Sequence, residues 1–352
     1  MLVQAVEDTR ATDIDLKGVP GEGSLEEPYV LPVSTLQVLL AIGRASAGAF
    51  GPVRPLFYAN ARWALLRWFW AFDWSVSDTA PSEWTPLIRN HHRTAFSEAM
   101  GLGFALLVVE QLSGQTLPLG VRRGGPLLVD VDTWLPGGTR SRPDLVVFFG
   151  GAKGSSTYVI EAKGNSVGRD KALRQLATGI DQTLAARGTA ERIVVGAAVP
   201  DDGFTAHAIK VKRGAGSGSK PPKSSLSLES AREVSPAFEI ARLQEFAGGT
   251  DDDLDLPGAP VHFEIPEQGI DAVGRRVTLG DGRLKVDLKF GVDRTVLSRL
   301  PELGSLEELS QMRSEVQALS RLPDQQPAES LFEAGEASAR ALDGCALWVG
   351  LR

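Results

Sequence analysis

The sequence predicts an α/β fold in which a long helix is followed by three strands, a second helix and a fourth strand. Apolar residues recur with the 3.6-residue period of a helix over 92–112 and again over 169–186. Between and after these helices the pattern changes to that of short strands separated by turns rich in Gly and Pro. The four predicted strands are 127–134, 139–149, 156–163 and 192–199. The last is apolar throughout, which is typical of an internal strand.

Composition divides the chain into five regions. Polar and acidic residues at the N-terminus predict a loose arm, and a stretch of Gly, Ser, Pro and Lys predicts a linker. The regions are the loose arm at 1–33, a helical region at 34–91, the α/β core at 92–212, the linker at 213–225 and a mixed α+β region at 226–352.

The flanking regions show elements of their own. Helices are expected at 34–48 and 59–72, where apolar residues again have helical spacing. Beyond the linker, Asp281-Gly282 marks the turn of a hairpin. A charged helix is expected near 305–322, and the apolar segment 346–351 predicts a further strand.

Composition also excludes several classes of protein. The single cysteine, Cys345, rules out a disulfide framework within the chain and any multi-cysteine metal site, and we expect it to be a small buried apolar residue. No stretch approaches the roughly 20 apolar residues that a membrane helix needs. The N-terminus shows no apolar signal segment. We therefore expect a cytoplasmic protein.

Charge is distributed unevenly along the chain. The net charge is −7, yet residues 92–223 carry 17 basic and 11 acidic residues, against 20 and 33 in the remainder. Proteins meet phosphate backbones with Lys and Arg, so a basic core in an acidic chain favours a polyanionic substrate. A chance fluctuation along the chain explains the difference equally well.

Three charged residues stand at the ends of the predicted strands. Side chains alternate along a strand, which places Glu161 and Lys163 on one face of the third strand. Asp144 precedes the apolar run 145–149 of the second strand, and a hairpin between these strands brings it towards Glu161. Two carboxylates can hold Mg²⁺, which prefers oxygen ligands and lowers the pKa of a bound water. A lysine beside them can orient that water and stabilise charge developing on a phosphate.

Pro143-Asp144, followed 17 residues later by Glu161-Ala162-Lys163, resembles the PD-(D/E)xK nuclease superfamily, which includes restriction endonucleases and many DNA repair nucleases. The resemblance covers residues 92–200, about a third of the chain, and the order of predicted elements carries most of it. It implies a restriction-endonuclease-like core. It also implies that Asp144 and Glu161 bind Mg²⁺, with Mn²⁺ as an alternative, beside Lys163.

The resemblance further implies one residue on each flanking helix. A glutamate on the helix before the sheet often joins the metal site in this superfamily; Glu98 matches it, and Glu110 is the weaker candidate. The alternative for Glu98 is a solvated helix face. A glutamine on the following helix is matched by Gln175, although Gly179 stands where an aromatic residue sometimes follows.

Asp130 and Asp132 alternate onto one face of the predicted first strand. Two interpretations remain open for them. They either add a metal ligand or form salt bridges with Arg140 and Arg142, and the structural interpretation is the more common one.

Other polar and aromatic residues also have two interpretations. His91 and His92 open the long helix, as a polar helix start or as a substrate contact. Lys171 and Arg174 contact phosphate or lie on a solvated helix face. The tryptophans of 63–74 pack in the core or bind a protein partner, since Trp is enriched at interfaces.

These observations and the resemblance predict a Mg²⁺-dependent nuclease that cleaves DNA. Analogy with the superfamily suggests a role in restriction or in defence against foreign DNA. The alternatives are a nuclease of repair or recombination, one that acts on RNA, and a nuclease-like fold that serves as a binding or scaffold subunit. The joint presence of Asp144, Glu161 and Lys163 argues against the last, because a decayed site tends to lose one of them. DNA is the expected partner, and the sequence leaves a homodimer open.

Overall fold

In the computed structural model, a five-stranded mixed sheet forms the centre of the α/β core, and a second, antiparallel sheet packs beside it. The structure describes residues 2–4, 30–46, 60–76, 79–88, 90–116, 126–135, 142–149, 156–167, 169–199, 204–211, 226–247, 258–266, 269–280, 285–300, 308–309, 311–312, 331–341 and 343–352.

Helices and strands alternate through most of the described chain. In chain order they are β1 (Leu2–Gln4), β2 (Val30–Pro32), α1 (Thr35–Ser46), α2 (Asn60–Trp68), α3 (Asn90–Thr116), β3 (Leu127–Asp130), α4 (Val131–Trp134), β4 (Leu145–Phe149), β5 (Ser156–Asn165), α5 (Arg169–Leu184), β6 (Ala186–Arg187), β7 (Glu191–Ala198), β8 (Thr205–Val211), β9 (Leu226–Ser227), α6 (Leu228–Ala247), β10 (Ala259–Ile265), β11 (Ile270–Gly280), β12 (Lys285–Asp293), α7 (Arg294–Arg299), α8 (Leu331–Ala334), β13 (Glu336–Arg340) and β14 (Cys345–Leu351). Single 3₁₀ turns lie at Phe69–Ala71 and Thr85–Leu87.

The central sheet has the strand order β3-β4-β5-β7-β8. The strands β3, β4 and β5 form an antiparallel meander, β5 and β7 are parallel, and β8 returns antiparallel to β7. A parallel pair needs a crossover connection, and α5 supplies it. The mixed α/β class and the predicted order of helix, three strands, helix and strand are thus confirmed.

Two boundaries of the central sheet differ from the sequence prediction by more than two residues. The first strand ends at Asp130, because the backbone then turns into α4, where Leu135 N–H donates to Val131 O at 2.9 Å. The prediction that Asp130 and Asp132 alternate on one strand face is therefore wrong. The second strand is shorter than expected and holds only the five buried residues Leu145–Phe149.

The second sheet has the order β10-β11-β12-β14-β13, and every pair in it is antiparallel. The pairing of β11 with β12 confirms the hairpin predicted around Asp281-Gly282, although the turn itself lies outside the described residues. The strand predicted at 346–351 is confirmed as β14. The linker at 213–225 and most of the helix predicted at 305–322 also lie outside the described residues.

One buried apolar cluster runs through both sheets. It includes side chains from α1, α3, the central sheet, α6 and the second sheet, for example Leu39, Phe104, Val146, Leu243 and Phe290. Helix α6 packs against both β3 and β12, so it lies between the two sheets. Burial of apolar surface is the main favourable contribution to folding. Because both sheets contribute side chains to the same buried cluster, each helps to stabilise the other.

Candidate active site

The end of β5 brings together the residues that the sequence singled out. Leu145 of β4 pairs with Ile160 of β5, so one further step of the antiparallel register sets Asp144 opposite Glu161. There Asp144 Oδ2 accepts a hydrogen bond from the backbone N–H of Ala162 at 2.7 Å. This bond holds the Asp144 carboxylate against β5, beside Glu161.

Glu161 is fully buried, although it carries a carboxyl group. Its Oε1 contacts the ammonium of Lys163, a side chain that is 22% exposed. Its Oε2 is enclosed without a hydrogen-bond partner among the described residues. Burial and the nearby charge of Asp144 raise the pKa of Glu161 to about 8, although the Lys163 ammonium acts in the opposite direction.

Helix α5 closes over Glu161 because Gly179 has no side chain. A methyl group at Gly179 would lie 2.4 Å from Val194 Cγ1 and 3.1 Å from Glu161 Cγ. Sequence reasoning noted this glycine only as a departure from the family pattern, whereas the structure shows that it sets the distance between α5 and the sheet. The available signal was a glycine inside an amphipathic helix, where it weakens the helix unless close packing requires it.

Gln175 lies one turn before Gly179 on the same side of α5. Helix α5 connects the parallel strands β5 and β7, so it runs antiparallel to both and its first turns lie near the end of β5. Gln175 is therefore closer than Gly179 to the end of β5 that carries Lys163. Gln175 Oε1 is buried and has no hydrogen-bond partner in the described part of the chain. This position agrees with the expected role of Gln175 in the site, which stays a prediction.

Helix α3 packs on the opposite face of β5. A methyl group at Gly164 would lie 1.7 Å from Ser97 O and 2.7 Å from Glu98 N, so the helix backbone rests directly on the strand. Gly164 is three positions from Glu161, and side chains an odd number of positions apart point to opposite faces. Glu161 therefore faces α5 and not α3.

Glu98 is consequently carried on the side of the sheet that Glu161 does not face. Its side chain is exposed, whereas its neighbour Ser97 is buried. Across the described ranges, no group of three or more His, Cys, Asp or Glu side chains is arranged to hold a metal ion. The structure therefore does not assemble Glu98 with Asp144 and Glu161, and its role as a third ligand stays a prediction without geometric support.

Glu110, the weaker candidate on α3, belongs to a different group of residues. We call Arg44, Glu110, Glu239, Arg242 and Asp343 the buried ion cluster. Arg44 Nη2 lies 2.6 Å from Glu110 Oε1, and Asp343 Oδ2 lies 2.7 Å from both Arg44 Nε and Arg242 Nη2. Arg242 in turn pairs with Glu239. Burial raises the pKa of Glu110, whereas Arg44 lowers it. Glu110 thus has a structural partner far from Glu161.

The remaining candidates on the two helices are exposed where the structure describes them. His91 and His92 are exposed at the start of α3, with ring centroids 4.0 Å apart. Lys171 is exposed on α5. The side chains of Asp132 and Arg174 lie outside the described residues.

The tryptophans divide between core and surface. Trp68 and Trp74 are buried, which confirms the core interpretation for these two. Trp70 is 39% exposed. The side chain of Trp63 lies outside the described residues. Cys345 is buried, as expected.

The donor set at the end of β5 fits a hydrated divalent cation. Glu161 Oε2 and Gln175 Oε1 are buried acceptors that no donor satisfies among the described residues. A cation held by Asp144 and Glu161 would offset the charge of ionised Glu161, and Gln175 Oε1 would be available as an acceptor for water. Mg²⁺ keeps several waters and is commonly held by one or two carboxylates, which is what Asp144 and Glu161 offer.

No family model, curated protein or solved structure matches this chain. Within the described residues, no helix combines the length and the apolar character needed to cross a membrane.

Proposed function

We propose that this protein is a Mg²⁺-dependent nuclease that hydrolyses phosphodiester bonds in DNA. The observation that carries the proposal is the meeting of Asp144 and Glu161 at the end of β5, with Lys163 in contact with Glu161. The order α3, β3, β4, β5, α5, β7 around them supports the resemblance to a restriction-endonuclease-like core.

The residues of the site divide the work between them. Bound Mg²⁺ supplies a Lewis acid that polarises the phosphate and lowers the pKa of a bound water. Asp144 is held in place for the ion by its hydrogen bond to the Ala162 N–H. Glu161 binds a cation in its ionised form, so protons compete with the cation for this side chain. Lys163 donates from Nζ to a phosphate oxygen and offsets the charge that develops there.

The test is incubation of the purified protein with supercoiled plasmid, linear duplex, single-stranded DNA and RNA, each with Mg²⁺, Mn²⁺ or EDTA. Asp144→Asn removes the charge but leaves an oxygen that can accept from the Ala162 amide, so we expect a folded protein. Losing a group that acts in proton transfer typically lowers a rate by about 10²–10⁴. We expect losses of at least that size for Asp144→Asn and for Lys163→Ala. The matched control is Lys285→Ala, an exposed lysine on β12.

Three results would change the proposal. Strong cleavage by a folded Asp144→Asn protein places the active site elsewhere. Cleavage of RNA alone transfers the proposal to an RNA substrate. No cleavage with either metal, together with retained binding of DNA, favours the alternative of a nuclease-like binding subunit.

A further inference from the structure

Exposed apolar side chains are concentrated in one segment of the described chain. The described residues include six large apolar side chains that are exposed, and four of them lie within 70–87: Trp70 at 39%, Val76 at 40%, Trp84 at 56% and Leu87 at 70%. A fifth, Val167 at 69%, lies two residues beyond the end of β5. Single exposed apolar residues are common, whereas a group of them marks an interaction surface.

Hydrogen bonds link the backbone segments that carry the two exposed tryptophans. Ser82 Oγ donates to Trp70 O at 2.6 Å, and Trp84 N–H donates to Ser82 Oγ at 3.2 Å. Next to them, the buried Thr85 donates from Oγ1 to Ala71 O at 2.8 Å. We call Trp70 and Trp84 the aromatic lip. The first two bonds link the backbones that carry the two tryptophans through Ser82, and the bond from Thr85 to Ala71 is a second link between them.

Aromatic packing anchors this segment to the central sheet. Phe72 packs against Phe96 of α3 and against Phe204, with ring centroids 5.9 Å and 5.7 Å apart. Phe96 and Phe204 also contact each other, at 6.1 Å. Phe204 immediately precedes β8, so the segment is fixed at the start of that strand.

The start of β8 lies at the same end of the central sheet as the end of β5, which carries the candidate active site. Asn165 of β5 pairs with Ala198 of β7, and Ala198 pairs with Thr205 of β8. This row of three residues is two positions beyond Lys163, about 7 Å along a strand, and Thr205 lies two strands away from β5, roughly 10 Å across the sheet. The aromatic lip is therefore anchored at the end of the central sheet where β5 ends, on the face covered by α3, which is opposite to the face of Glu161.

The sequence around the aromatic lip has a net positive charge, and all of its Lys and Arg positions are arginine. Residues 54–93 contain five Arg and no Lys, against three acidic residues, and include His91 and His92. Arg67 and both histidines are exposed. Arginine stacks on planar groups and binds phosphate in a bidentate manner, so this composition, beside exposed tryptophans, suits nucleic acid better than a basic or purely apolar partner.

We propose that the aromatic lip binds unpaired nucleotides of a DNA strand that passes around this end of the sheet to the candidate active site; this inference rests on the proposed nuclease function. Tryptophan rings stack on bases of any sequence because every base has a π face. In an intact duplex these faces are already stacked on neighbouring bases. The site is therefore adapted to single strands, overhangs or gaps rather than to uninterrupted duplex.

The test is binding of a fluorescein-labelled oligothymidylate and of a blunt hairpin duplex, measured by fluorescence anisotropy in EDTA so that no cleavage occurs. Wild type is expected to bind the oligothymidylate more tightly than the duplex. Trp84→Ala should weaken oligothymidylate binding about tenfold, the effect of losing one stacked base. Trp84→Phe should retain most of the affinity. Val273→Ala, an exposed apolar side chain on β11 of the second sheet, is the control and should bind as wild type does.

Equal binding of the oligothymidylate by wild type and Trp84→Ala overturns the inference. If Mg²⁺-dependent duplex cleavage persists in that case, the nuclease proposal stands and only the aromatic lip is misassigned. Absence of any DNA binding or cleavage overturns both. Sedimentation of wild type and Trp84→Ala supplies the remaining outcome: a dimer that the substitution dissociates assigns the aromatic lip to self-association and overturns the DNA assignment.

Discussion

Glu161 is a buried carboxyl with a contact to Lys163 on one oxygen and no partner, among the described residues, on the other. Its pKa of about 8 makes the stability of the metal-free protein depend on pH. Below pH 4.5 the group is protonated in both the folded and the unfolded chain. As pH rises from 4.5 through 8, the unfolded chain loses this proton first, so the folded state becomes progressively less favoured.

Glu161→Gln should remove this loss. We expect the melting temperatures of wild type and variant in EDTA to agree near pH 4 and to separate above pH 4.5, with the variant more stable by a few kcal/mol at pH 9. Each unit of pKa shift corresponds to about 1.4 kcal/mol. If the melting temperatures of the two proteins changed with pH in the same way across this range, the burial of an uncompensated Glu161 would be contradicted.

At the scale of single residues, the sequence predicted part of the geometry of the candidate site. Strand alternation and the Pro143-Asp144 position were sufficient to bring Asp144, Glu161 and Lys163 together, because a register relates local pattern to distance across a hairpin. The orientation of Glu98 could not be predicted, since it depends on which face of β5 the helix α3 covers. Gly164 allows α3 to lie directly on its face of β5. Nothing in the sequence motif marks this glycine as different from the others.

Between elements, two glycines fix the position of β5. Helix α3 rests on Gly164 from one face and α5 approaches through Gly179 on the other. A helix backbone cannot yield as the end of a flexible side chain can, so an added methyl group must displace the helix. The strand that carries Glu161 and Lys163 is thus held between two helices.

Gly164→Ala should destabilise the protein by about 1–3 kcal/mol or more and lower the cleavage rate, because it separates α3 from the strand next to Lys163. Gly101→Ala on α3 is the graded comparison, since its methyl group would lie 3.1 Å from Gly164 N. We expect it to cost much less in denaturant unfolding. Equal midpoints for the two variants would show that α3 adjusts freely.

The elements of the core were predictable because their periods are strong and their turns rich in glycine. The prediction was wrong after Asp130, where α4 replaces the expected second half of the first strand. Helix α6 and strand β8 were not predicted at all. The hydrophobic pattern of α6 does not mark one face, because it packs between the two sheets and buries several sides.

Across the whole molecule, the buried ion cluster joins α1, α3, α6 and the turn before β14. Its members are far apart in sequence: 299 positions separate Arg44 from Asp343, and 66 separate it from Glu110. No local pattern relates such residues, so the sequence could not predict this contact between the core and the second sheet. Arg44, Arg242 and Asp343 are nearly inaccessible to water.

Asp343→Asn should destabilise the protein by about 3–5 kcal/mol, because it leaves two buried guanidinium groups short of a counter-charge. The control is Asp271→Asn, an acid that is 48% exposed and pairs with His262, for which a change below about 1 kcal/mol is expected. Denaturant unfolding followed by fluorescence and circular dichroism measures both. An unfolding midpoint of Asp343→Asn equal to that of wild type would contradict a stabilising role of the buried ion cluster.

The seclusion of this cluster also determines how the protein responds to ionic strength. Dissolved ions screen charges that water reaches, and they affect buried pairs far less. Attraction between phosphates and exposed groups such as Arg67 should fall steeply as salt is added, while Arg44 and Arg242, at 1% and 2% side-chain exposure, keep their counter-charges. Concentrated salt should therefore release nucleic acid from a chain that remains folded, and dilution alone should restore binding.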